Sequence, residues 1–347
     1  MTERPKRRFQ LLSIESKDRW EDGWEHIKPA IYKYVQDNRY SPLAKIFANF
    51  SYENFVQQAE SKPICEDLDP KYQYDGNQPW HKYFELQQAI IELGFFMEKS
   101  EFSKEDPPDI AQVLNTLIKG FEEYNKAKGG AAYRKCEKNP ITNRSEIGIT
   151  HPIKVARVAL GIVNLVENES EVLYKNYPGD RFIKEFLQNP EQKKYLVITC
   201  LLHDSQEDKH LDGEQIGTLL RSLELPKEIA NAVSDLTKKD NEKGLEGLNA
   251  YIERLGKYDE SKKTLRDQLK FMAKLADIFS NRMSEGSNSQ KEKDKPYINW
   301  LTDNFSPRLL RKIMNIEPIK GRCRKHNREF LRTLMKNVRT RTRKITS

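Results

Sequence analysis

Apolar residues in this chain recur three and four positions apart, and strictly alternating runs are scarce. That period puts side chains on one face of a helix and does not suit a half-buried strand. Trp24, Ile27, Ile31 and Val35 follow it, as do Phe84, Leu86, Ile90, Ile91 and Phe95. Pro107 to Tyr124, Ile216 to Leu223, Ile229 to Leu236 and Leu265 to Met283 continue it. Two segments go further. Ile153 to Val166 is apolar on nearly every side, and Tyr195 to Leu202 is an almost unbroken apolar run. Helices of that kind belong in a core. The expected fold is therefore all-α, a helical bundle with an N-terminal helical extension and a basic C-terminal helical tail.

With 347 residues the chain has room for about two domains, and a core can form without disulfides. Turn-rich stretches at 62–80, 126–150 and 285–295 divide it. The reading is an N-terminal helical region of unknown role over 1–105, a central domain over 106–285 and a basic extension over 286–347. The four cysteines form no CxxC pair, which argues against a disulfide framework or a thiolate zinc site. No apolar stretch approaches the roughly 18 residues of a membrane span. No apolar segment follows the basic start, so a secretory leader is not expected and a cytoplasmic location is.

The formal charge of +8 is unevenly placed. Residues 306–347 hold fourteen Lys and Arg against two acids, so the rest of the chain is slightly acidic. Leu309, Leu310, Ile313 and Ile316 interleave with Arg308, Arg311 and Lys312, an amphipathic basic pattern. Such a segment can bind nucleic acid or another anionic surface, or can pack its apolar stripe on the body and leave a solvated basic face.

Chemistry concentrates at three places where ionisable groups interrupt apolar helical patterns. These are Thr150-His151-Pro152, the run Leu201 to Asp208 with His203, Asp204, Glu207 and Asp208, and the run Lys274 to Asn281 with Asp277. A carboxylate in such surroundings is costly unless it is paired, hydrogen-bonded or bound to a metal. Imidazole with carboxylate suits a divalent first-row ion such as Mn²⁺ or Fe²⁺. On a helix, His203 and Glu207 would share a face, as would Asp204 and Asp208. The division that follows is ligands at His203 and Asp204, and acid/base or water-positioning groups at Glu207 and Asp208.

The blocks "THPIKVA" at 150–156, "LLHDSQED" at 201–208, "LTK" at 236–238 and "KLADIFSN" at 274–281 resemble the HD-type metal-dependent phosphohydrolases. More narrowly, they resemble the hydrolase domain of the RelA/SpoT homologues, over roughly residues 110–285. The resemblance implies an HD-domain helical bundle in which His151, His203, Asp204 and Asp277 ligate one Mn²⁺. It implies Glu207 and Asp208 as the groups that activate or position water, and Asn281 as a nucleotide contact. Lys238 is a candidate on the substrate side. The basic residue against the base is Arg144, with Arg134 and Lys135 as rivals. The implied reaction removes the 3′-pyrophosphate of ppGpp or pppGpp, giving GDP or GTP and pyrophosphate. The chain departs from the family pattern in the run before His151 and at Ser280, where the family has His. The residues after 285 are too few for the synthetase domain of the long family members. Two other readings stand beside this one: an HD phosphohydrolase acting on a different nucleotide, and a nucleic-acid-binding protein with a non-catalytic HD core.

Overall fold

The computed structural model describes residues 106–127, 137–138, 145–146, 149–167, 177–186, 189, 191–242, 244–256, 264–281 and 288–316, with isolated positions between 89 and 102 and between 330 and 336. These residues form an all-α fold. Beside the α-helices, the described residues include a short 3-10 turn at Asp240–Glu242 and a two-residue antiparallel pairing of Glu137–Lys138 with Ser145–Glu146. Most of the N-terminal region, and Arg144, Arg134 and Lys135, lie outside the described residues.

Two helices form the centre. Helix α2 (Thr150–Glu167) is buried almost throughout, from Pro152 to Val163, as its predominantly apolar sequence requires, and the burial takes in Lys154 and Arg157. Helix α4 (Glu191–Leu202) is buried from Leu196 to Leu202. The two pack on each other, with α1 (Asp106–Ala127) behind α4. Helix α8 (Leu265–Asn281) lies across both and is buried from Phe271 to Ser280. Each fully buried Leu, Ile or Val contributes about 1.5–3 kcal/mol, so this three-helix contact carries much of the stability. Helices α5 (Gly213–Ser222) and α6 (Lys227–Leu236) pack together, and α6 also packs on α8. Helix α5 starts at a reciprocal capping box, in which Asp212 accepts from Gln215 N and donates its own amide to the Gln215 side chain, each at 2.8 Å.

The described part of the extension, 288–316, is tied to this core. Helix α7 (Gly244–Leu255) packs on α9 (Asn288–Asn304), and α3 (Pro178–Phe186) meets α2, α8 and α9. Phe271, Trp300 and Phe305 stack with centroids 4.7–5.9 Å apart. Helix α10 (Pro307–Ile313) lies on α2 and buries Leu309, Leu310 and Ile313, leaving Arg308 and Arg311 exposed. Its start is fixed twice. Ser306 Oγ caps Leu309 N at 3.1 Å, and the buried Asp180 of α3 accepts from Ser306 N at 2.9 Å. Burial pushes the Asp180 carboxyl up to about 6, against the smaller opposing effect of Ser306, and its Oδ2 has no hydrogen-bond partner.

Two close backbone approaches set the frame for the site. A Cβ on Gly120 of α1 would collide with the carbonyl of His210 and stand 2.9 Å from Leu211 Cδ2. Helix α1 therefore presses directly on the segment after α4. His210 is held there edge-on to Phe121 and Tyr124, with centroids 5.1 and 6.2 Å away. Burial draws its imidazole down to about 4, so it is a neutral packing residue at physiological pH.

Candidate metal centre

The helix α4 stops at Leu202, and residues 203–209 run on as a series of turns. This differs from the sequence expectation, which put His203 to Asp208 on one continuous helix. The turns are tight. Ser205 N and Oγ both donate to Leu202 O, at 3.0 and 2.6 Å, and Asp208 N donates to Asp204 O at 2.8 Å. His210 N donates back to Ser205 O at 2.9 Å. Lys209 takes φ 59, a left-handed conformation uncommon for a residue with a Cβ, and so redirects the chain. Stopping the helix frees His203 and Asp204 to turn toward α2 and α8.

Three elements converge. His151 is the second residue of α2, His203 and Asp204 follow α4, and Asp277 lies near the end of α8. His151 Nε2 is 3.2 Å from Asp277 Oδ1 and 3.5 Å from Asp204 Oδ2. His203 Nε2 is 3.1 Å from Asp204 Oδ2 and 3.7 Å from Asp277 Oδ1. Ligand-capable atoms of His151, His203 and Asp204 all lie within 4.8 Å of one another. Donors about 2.0–2.2 Å from a common ion stand roughly 3–3.5 Å from each other. Most of the contacts are close to that spacing, and His151, His203 and Asp204 form a group that could hold a metal ion, with Asp277 beside it.

The tautomer of His203 follows from its partner. Nδ1 is 2.7 Å from Cys200 O, and a carbonyl only accepts, so Nδ1 carries the proton. In the neutral ring the Nε2 lone pair then faces the carboxylates. His203 is 3% exposed, and Nε2 makes no hydrogen bond of acceptable direction. An imidazole oriented through Nδ1–H to a backbone carbonyl is the usual arrangement of a metal-ligating histidine. Electrostatics set the charge of the ring. Burial pushes the His203 imidazole down, but Asp204 and Asp277 more than offset it and raise it to about 10. Burial also opposes ionisation of Asp204 and Asp277. His203 and His151 hold Asp204 below the usual carboxylate range, and Lys274, with the two imidazoles, holds Asp277 well below it.

The remaining candidates surround this cluster. Asn281 Nδ2 donates to Asp277 Oδ1 at 2.6 Å, so in this structure it meets that carboxylate. Glu207 is half-buried, and both its oxygens meet Lys238 Nζ, at 3.2 and 3.3 Å. Thr237 Oγ1 reaches Gln206 Oε1 at 3.4 Å, so the "LTK" block lies against the "SQE" run. Asp208 stays in the turn, one residue on.

Lys238 is itself held in place. Helix α6 ends at Leu236, and Arg254 of α7 donates to Asp235 O at 2.6 Å and to Thr237 O at 3.0 Å. The same guanidinium grips the buried Glu242 at 2.6 and 2.7 Å, which draws that carboxyl down to about 2.

Sequence reasoning missed Lys274, which is 4% exposed and donates to Asp277 Oδ2 at 2.6 Å. Its place three residues before Asp277 was the available signal. Burial opposes its charge, but Asp277, Tyr251 and Tyr297 raise its pKa well above the ordinary lysine value. Comparison of the chain with protein-family models, curated proteins and solved structures finds no match.

Proposed function

We propose that this chain is a divalent-metal-dependent phosphohydrolase of the HD type that removes the 3′-pyrophosphate of ppGpp and pppGpp. The supporting observation is the convergence of His151, His203, Asp204 and Asp277 from three separate elements at ligand spacing, with His203 oriented through Cys200 O. A plain structural role accounts poorly for that set. Two carboxylates and two imidazoles facing one point in a core would be replaced at little cost by apolar side chains.

A Mn²⁺ ion held by these four residues would supply Lewis acidity toward the phosphoryl group. The chain's own residues would do the rest. Glu207, a short step from the ligands along the turn, takes the proton from the attacking water. Lys238 offers its ammonium to phosphate oxygens, and in doing so loosens its hold on Glu207. The new bond joins water oxygen to the phosphorus on the 3′-oxygen. The bond between that phosphorus and the 3′-oxygen breaks, the departing oxygen takes a proton from solvent, Glu207 returns its proton to solvent, and GDP or GTP with a free 3′-hydroxyl leaves together with pyrophosphate. Asp208 lies beside Glu207 as the second candidate for positioning water.

The test is incubation of the purified protein with Mn²⁺ and ppGpp, following pyrophosphate release, beside a panel of other 3′-phosphorylated and dinucleoside substrates. Release from ppGpp alone supports the reading as stated. Release only from another nucleotide keeps the phosphohydrolase and refutes the guanosine substrate. No release from any of them, with Mn²⁺ bound, refutes the enzyme.

A second reading rests on α10, which exposes Arg308 and Arg311 while burying Leu309, Leu310 and Ile313. It makes residues 306–347 a nucleic-acid-binding surface on a non-catalytic core. Its mark is RNA or DNA binding that weakens steeply with salt and survives chelation. No helix among the described residues is long and apolar enough to cross a membrane.

A further inference from the structure

Lys274 and Asp277 leave α8 on one face, and the 2.6 Å contact between them occupies Asp277 Oδ2. Asp277 Oδ1 is thereby left to His151, His203 and Asn281. The ammonium is flanked by two rings, Tyr251 at 5.0 Å and Tyr297 at 5.1 Å from the centroids. Tyr251 is fixed in turn, since its hydroxyl donates to Leu236 O at 3.0 Å.

The Tyr251 ring has two further cations within reach, Arg254 at 5.3 Å and Lys238 at 5.5 Å. Each of the three grips a different acid: Lys274 holds Asp277, Lys238 holds Glu207 and Arg254 holds Glu242. Gathering three cations around one buried ring is unfavourable by their mutual repulsion, and a buried ion pair adds little stability over apolar packing. The arrangement does have a clear geometric effect. It fixes the distance between the carboxylate at the ligand cluster and the carboxylate beside Lys238.

We infer that Lys274 is a positioning residue of the metal centre, turning Asp277 Oδ1 toward the imidazoles, with Tyr251 and Tyr297 as the cage that holds its ammonium. The inference rests on the metal reading of His151, His203, Asp204 and Asp277. Asp277 would carry the bond to the ion, and Lys274 would act only through Asp277. Loss of such an outer partner characteristically weakens metal binding by about 10–100-fold.

The experiment is a titration of the full chain with Mn²⁺ alone, following the paramagnetic resonance signal of free Mn²⁺, with thermal melts of the metal-free proteins alongside. Lys274→Met should bind Mn²⁺ about 10–100-fold more weakly than the native chain. Lys274→Arg, which keeps the cation, should fall between them. Tyr297→Leu removes one wall of the cage at a half-buried position, and should weaken binding by about twofold to tenfold with the fold intact. A folded Lys274→Met protein with native Mn²⁺ affinity overturns the inference. Should that variant fail to fold, native affinity in Tyr297→Leu overturns it instead. A native chain that takes up no Mn²⁺ overturns both this inference and the metal reading, and is seen before any variant is compared.

Discussion

Replacing Asp180 with Asn tests how α10 is fastened to the body. Burial raises this carboxyl from 3.8 to about 6 in the folded chain. The folded state therefore binds the proton more tightly than the unfolded state. The stability this group contributes is fully present below about pH 4 and is lost as pH rises through about 6. A shift of about two units is worth about 3 kcal/mol, so ionised Asp180 penalises the fold by that amount at neutral pH. Asn keeps an oxygen to accept from Ser306 N and has no charge to bury, so the variant should lack this dependence. Urea unfolding at half-unit steps from pH 4 to 7, with chelator present, gives the difference in stability between the two proteins. Relative to Asp180→Asn, the native chain should lose about 3 kcal/mol across that window. Other titrating groups, Glu242 among them, are common to both proteins and cancel. Parallel curves, or a native chain that gains on the variant as pH rises, would refute the reasoning.

Further outcomes follow from the site and its frame. His203→Ala removes the Nε2 that faces both carboxylates, and should abolish Mn²⁺ retention after gel filtration, measured by elemental analysis of the protein peak. Glu207→Gln should leave Mn²⁺ bound while turnover of ppGpp drops by about 10²–10⁴-fold, the usual contribution of an acid/base group; unchanged turnover would remove Glu207 from that role. Gly120→Ala forces a methyl against the His210 backbone, and should cost about 1–3 kcal/mol in urea unfolding. Leu310→Ala empties a fully buried position of α10 and should cost about 2–5 kcal/mol by the same assay; a loss under 1 kcal/mol would mean that α10 is not part of the core.

The helical fold was legible because its signal is local and repeated. The apolar runs of α2 and α4 left no face for solvent, and both helices are buried as that pattern demands. The ligand candidates were legible because ionisable groups stood out against those same runs. The helix end at Leu202 was not. A helical continuation through Asp208 satisfies the sequence pattern, whereas the turns lead into His210 and Leu211, which lie against Gly120, Phe121 and Tyr124 of α1. Those residues are roughly eighty positions away, and no local propensity records the contact. Lys274 was within reach, since its spacing from Asp277 is a standard helical pair. Tyr251 and Tyr297 were not, because their part depends on how α7 and α9 fold back over α8. The apolar stripe of α10 was legible, and its burial decides where the stripe rests while leaving the basic face exposed.

His151 and Asp277 meet across 126 residues of chain. A ribosome adding about 5–20 residues per second completes the first of these roughly 6–25 seconds before the second. During that interval the emerging chain carries His151, and later His203 and Asp204, with no α8 to close over them. On the proposed metal reading, two imidazoles and one carboxylate would meet the cell's cations before the fourth donor is made. The order of synthesis would then make α8 the element that completes the set.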